Sequence, residues 1–170
     1  MSQASLAERP AGPVDALPVI SLRGVTKAFG HGPDATFALR DVDLDVAAGE
    51  FLTVVGASGC GKSTMLNLIA GLDQATAGEL DVRAKVAFMF QDATLLPWLT
   101  ARQNVELALK LRGVARRDRR EQAEDLLRTV RLDGRGDARP HELSGGMRQR
   151  VALARCLAQA AGIVLMDEPL

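Results

Sequence analysis

Residues 51–63 read Phe-Leu-Thr-Val-Val-Gly-Ala-Ser-Gly-Cys-Gly-Lys-Ser, and this stretch decides the fold. Phe51–Val55 is a short apolar run and reads as a buried strand. Gly56 to Ser63 match the pattern Gly-x-x-x-x-Gly-Lys-Ser/Thr. Lys62 to Ala70 reads as a helix that Gly71 ends. A strand, a glycine turn and a helix start together make an anion site. The glycines let backbone N–H groups point inward around phosphates, and the helix macrodipole adds favourable potential at that end. Lys62 supplies a mobile cation for β- and γ-phosphates, and the Ser63 hydroxyl can ligate Mg²⁺. The expected ligand is a nucleoside triphosphate. Cys60 lies at a free position of the pattern with no evident partner base, which argues against a catalytic thiol.

Downstream, Ile163-Val-Leu-Met-Asp167-Glu168 is an apolar strand ending in two carboxylates. Ligands bind at the C-terminal strand edge of open α/β sheets. There Asp167 suits the Mg²⁺ shell, directly or through water, and Glu168 suits a general base for an attacking water. Between the two motifs, residues 143–150 read Leu-Ser-Gly-Gly-Met-Arg-Gln-Arg and open an Ala/Leu-rich helix from Met147 to Ala160. Alone, that is an ordinary capped helix start; beside the other two motifs it reads as a second anion site.

The rest of the chain frames these motifs. Residues 1–18 carry Pro10, Pro13 and Pro18 among small residues and read as a mobile tail. Strands are expected over Val19–Thr26 and Leu39–Val46, separated by the turn cluster Gly30–Asp34. Another small strand is expected at Lys85–Phe90. Val105, Ala108 and Leu109 share one helix face, and Leu126, Leu127 and Val130 mark a second helix from about Asp118. The charges of Arg116–Asp125 read as its solvated face. Lys+Arg and Asp+Glu both number 21, so the balance gives no reason to expect nucleic acid as a partner. No run approaches a membrane span, and no secretory signal is evident at the start. Two cysteines are too few for a disulfide framework and fit a reducing, cytosolic setting.

Taken in order, the three motifs resemble those of ATP-binding cassette (ABC) ATPases from about Val19 to Pro169. The resemblance implies an α/β P-loop NTPase fold with an N-terminal β subdomain and a helical subdomain over about 92–150. It also implies ATP and Mg²⁺ as ligands. Gly56, Ala57, Ser58, Gly59, Cys60, Gly61, Lys62, Ser63 and Thr64 would surround the phosphates. Ser63, Gln91 and Asp167 would attend Mg²⁺, and Glu168 and Gln91 would serve the attacking water. Ser144, Gly145 and Gly146 would face the γ-phosphate held by a second subunit, so that ATP is sandwiched in a dimer. Phe29 resembles the aromatic that stacks on adenine, with a core role as the alternative. Gln149 and Arg150 match the tail of the motif and read as structural.

Phe88 to Trp98, ending Leu-Leu-Pro-Trp, further resembles the ATPase subunits of nitrate/sulfonate/taurine-type importers. That implies membrane permease subunits as partners, a solute-binding protein indirectly, and a place on the cytoplasmic face of the membrane. Trp98 would then meet the permease or anchor local packing. Family members continue past this acidic pair with an aspartate loop and a strand ending in histidine. That strand would enter between the phosphate-loop strand and the Asp167 strand. Leu170 is the last residue here, and neither His31 nor His141 can be that histidine. The expectation is an incomplete core sheet and a fragment with weak or no sustained turnover. Alternatives are an inactive fragment that binds nucleotide weakly and a soluble, non-transport ABC ATPase.

Overall fold

The computed structural model describes residues 17–30, 32 and 35–168. Most of the expected N-terminal tail, and His31, Pro33 and Asp34 of the turn cluster, lie outside the described residues. The chain forms two compact units that divide between Ala84 and Lys85.

In the first unit, β1 (Ile20–Phe29) is the centre of an antiparallel sheet, flanked by β2 (Thr36–Val46) and β3 (Ala77–Val82). The register pairs Leu22 with both Leu44 and Leu80. Alternation puts Ile20, Leu22, Leu44 and Val46 on the buried side, while Asp43 and Asp45 are left to more exposed positions. The strand β3 was not foreseen. Its short Glu79-Leu80-Asp81-Val82 alternation follows a turn-rich stretch. The helix α1 spans Lys62–Ile69 and buries Met65, Leu68 and Ile69. Gly71, at φ +70°, closes it: Gly71 N–H donates to the Leu68 carbonyl at 3.0 Å and Leu72 N–H to Asn67 at 2.9 Å.

The expected buried strand at Phe51–Val55 is not formed. The segment is irregular, and Phe51 is 91% and Val55 64% exposed. An apolar run becomes a strand only where a neighbour takes its backbone hydrogen bonds, and no described strand pairs with it.

In the second unit, β4 (Val86–Met89) and β5 (Ile163–Met166) pair in parallel, Val86 opposite Ile163 and Met89 opposite Met166. Only one face of β5 is buried: Ile163 and Leu165 are covered, while Val164 and Met166 are 38% exposed. The apolar run reads as a buried strand; with β4 as its one described neighbour, β5 is covered on a single face. Three helices, α2 (Ala101–Leu111), α3 (Arg116–Thr129) and α4 (Gly145–Ala158), share a core of Val105, Leu109, Leu127 and Val151. Each such side chain contributes about 1.5–3 kcal/mol when removed from water. Thr100 caps α2 in a capping box with Gln103. Arg102, 14% exposed, joins α2 to α3 and the following loop through Glu124 at 2.9 Å and Asp137 at 2.5 Å. No helix among the described residues is long and apolar enough to cross a membrane.

Candidate functional site

The phosphate loop belongs to the first unit. Gly61 stands at φ +98°, and a Cβ there would lie 2.3 Å from the Ala38 carbonyl oxygen and 2.9 Å from Leu39 Cδ2. Conformation and space both demand glycine. It precedes α1 without a side-chain cap, so the first helical N–H groups keep their capacity for an anion. Gly56, Ala57, Ser58, Gly59 and Ser63 are exposed, while Cys60, Lys62 and Thr64 are half-buried. Lys62 Nζ folds back to donate to the Gly56 and Ala57 carbonyls at 2.9 and 3.0 Å, and lies 4.0 Å from Cys60 Sγ. The cation is thus parked on carbonyls that a phosphate oxygen would replace as a stronger, charged acceptor. Phe29 ends β1 at 49% exposure with Lys27 Nζ 5.0 Å from its ring centre. It is a surface aromatic and not a core one.

The second unit carries the acidic residues. Because β4 and β5 run parallel in step, the residues that follow them emerge at one sheet edge. Asp167 N–H donates to the Met89 carbonyl at 3.0 Å, and Gln91 Nε2 donates to Glu168 Oε2 at 2.6 Å. Glu168 adopts φ +46° and Thr94, in the loop after Gln91, φ +41°. Non-glycine residues seldom take this conformation, least of all β-branched ones, and such strain clusters at functional sites.

The helix α4 begins at Ser144, whose Oγ accepts from Met147 N–H at 3.2 Å. Gly145 and Gly146 are exposed in its first turn. A Cβ at Gly146 would meet nothing within 4 Å, and at Gly145 only Arg148 Nη2 at 3.9 Å. Within a helix each glycine costs about 1 kcal/mol relative to alanine. Among the described residues nothing close by requires glycine at either position.

Gln149 reads as structural in the sequence, but its partner was not foreseen, nor were the roles of Arg155 and Asn104. Gln149 Nε2 donates to the Gln91 carbonyl, and Arg155 Nη1 to the Thr94 carbonyl at 2.8 Å. Burial pulls the Arg155 guanidinium below its ordinary pKa and pushes the adjacent Cys156 thiol up, which marks Cys156 as an unreactive core residue. Asn104 is buried on the α2 core face. Its signal was available: a polar residue between Ala101 and Ala108 at helical spacing. No such signal marks the contacts of Gln149 and Arg155, whose partners are distant in sequence.

A phosphate loop, a parallel strand pair ending in carboxylates and a glycine-led helix are the parts of a P-loop NTPase. The ABC transporter family matches residues 39–170, and the chain belongs to it. It is 46% identical over 169 residues to the aliphatic sulfonates import ATP-binding protein SsuB 1 of Mesorhizobium japonicum, covering 95% of this chain and 62% of that protein. It is 44% identical to an uncharacterized ABC transporter ATP-binding protein of Methanocaldococcus jannaschii, over 88% of this chain and 59% of the relative. The chain thus spans about three fifths of these relatives' length. A solved dimeric ATP-binding cassette in a post-hydrolysis state, bound to ADP and Pi, superposes with a TM-score of 0.81 at 38% identity. That match covers 88% of this chain and 74% of the other.

Proposed function

We propose that this chain is the nucleotide-binding part of an ATP-hydrolysing subunit that energises a membrane importer of a small solute, a sulfonate or a chemically similar anion. The observation that carries the reading is the pair Gly145–Gly146: exposed, locally unnecessary and placed at a helix start. It fits a second copy whose bound nucleotide approaches that helix. In this reading Gly56–Thr64 cradle the phosphates and Lys62 shifts from its loop carbonyls to them. Ser144, Gly145 and Gly146 act in trans, and Phe29 packs on the base.

Ser63, Gln91 and Asp167 are the residues that would hold Mg²⁺. Among the described residues no three or more His, Cys, Asp or Glu gather into a metal cage. The Ser63 hydroxyl, the Gln91 amide oxygen and the Asp167 carboxylate are the hard oxygen donors that Mg²⁺ takes beside phosphates. When bound, Mg²⁺ supplies charge neutralisation on the phosphates. Glu168 accepts the proton of the attacking water, and Gln91, already bonded to it, orients that water. The partners are a second copy, the permease subunits and, through them, a solute-binding protein. The exposed Trp98 suits contact with the permease. The setting is the cytoplasmic face of the membrane. Glu168→Gln in the whole protein is expected to bind MgATP and accumulate an ATP-bound dimer without turnover. Undiminished hydrolysis in that variant would remove Glu168 from the role.

A further inference from the structure

We propose that Gln149 is a positioning residue, whose side-chain amide pins the Gln91 main chain so that the Gln91 side chain meets Glu168. The inference rests on the role given above to Glu168 and Gln91. Gln149 lies in α4, one turn after Gly145 and Gly146, and its Nε2 donates to the carbonyl of Gln91 itself. The same residue's side chain donates to Glu168 Oε2 at 2.6 Å. One residue is thereby held at both ends, by α4 through its backbone and by the end of β5 through its side chain.

Two further features show that the loop is held in place and does not merely rest there. Arg155, on the same helix, donates to the Thr94 carbonyl at 2.8 Å, fixing a β-branched residue at φ +41°. Gln149 Oε1 is buried with no donor among the described residues, so the amide makes its single contact at the expense of a dry acceptor. A side chain that only filled space would be apolar there. The helix that begins with the exposed glycines therefore grips the loop that carries Gln91. A group that meets Gly145 and Gly146 acts on the same rigid element that sets the Gln91–Glu168 contact.

The test uses Gln149→Met, which keeps the length and loses the donor, with Gln149→Ala as a second variant should the first fold poorly. In the nucleotide-free protein, amide hydrogen exchange over residues 91–94 is expected to quicken by about tenfold or more. ATP hydrolysis is expected to fall by about tenfold or more while the KM for MgATP stays within about twofold. On a Gln91→Ala background the same substitution should change the rate by less than about twofold, because the residue it acts through is gone. Equal losses on both backgrounds would make Gln149 merely structural and overturn the proposal. So would unchanged exchange over 91–94. A parent protein that hydrolyses no ATP would refute the proposed function instead, and the exchange measurement would still decide the role of Gln149.

Discussion

Replacing Asn104 by alanine should destabilise the helical unit by about 2–4 kcal/mol. The residue is 1% exposed and its side chain spans four backbone groups. Oδ1 accepts from Leu96 N–H at 2.9 Å; Nδ2 reaches the carbonyls of Leu96 at 3.2 Å, Leu99 at 3.3 Å and Thr100 at 3.0 Å. Two of these carbonyls have a second donor: Leu99 N–H serves Leu96 at 3.1 Å and Asn104 N–H serves Thr100 at 2.9 Å. Truncation therefore strands chiefly the Leu96 N–H and the Leu99 carbonyl. One unsatisfied buried group costs about 1–3 kcal/mol, and the small cavity adds to it. The assay is built in, because Trp98 is the only tryptophan and sits within the clamped turn at 66% exposure. Urea unfolding followed by its fluorescence should show a midpoint lowered by about 1–2 M, and acrylamide should quench Trp98 more strongly in the native variant. Asn104→Asp keeps the acceptor for Leu96 but faces three carbonyls with a carboxylate, so it should not rescue. An alanine variant within about 0.5 kcal/mol of the parent, with unchanged quenching, would refute the clamp. So would full rescue by aspartate.

Two other predictions concern stability. The helix α3 ends with Arg131 at φ +59°, where α1 and α2 use Gly71 and Gly113; Arg131→Gly should stabilise by about 1 kcal/mol, read as a raised urea midpoint, and a loss would contradict the strain argument. The hydrogen bond from Lys27 Nζ, 2.6 Å from Asp73 Oδ1, holds the Asp73 carboxyl below its ordinary pKa, helped by the Gln74 N–H. A depressed folded pKa gives stability that is present above the unfolded value near 3.9 and lost as pH falls through the folded value. Lys27→Met should therefore weaken the acid dependence of unfolding below about pH 4, and an unchanged acid limb would sink that assignment.

The elements legible in the sequence were those with local causes. The run Lys62–Ile69 had a glycine loop before it and Gly71 after it. The β2 strand had its alternating aspartates, and α2 the helical spacing of Val105, Ala108 and Leu109. Phe51–Val55 misled because its apolarity reports a demand for burial, whereas strand formation depends on a partner supplied from elsewhere in the chain. The motif residues could be named from their order, but the contacts that arrange them could not. Gln91 meets Glu168 across 77 positions because β4 and β5 run parallel in register, and it meets Gln149 across 58 because Ala152 and Cys156 of α4 pack with Ala87 and Met89 of β4.

Whether Gly56–Thr64 hold the phosphates of ATP is decided by titrating the whole protein with MgATP by calorimetry, beside Lys62→Ala and Gly61→Ala. Saturable binding by the parent is expected, one nucleotide per chain. Removing Lys62 or the loop conformation should lower the affinity by about a hundredfold. No binding by the parent, or equal affinity in all three proteins, would contradict phosphate binding by this loop.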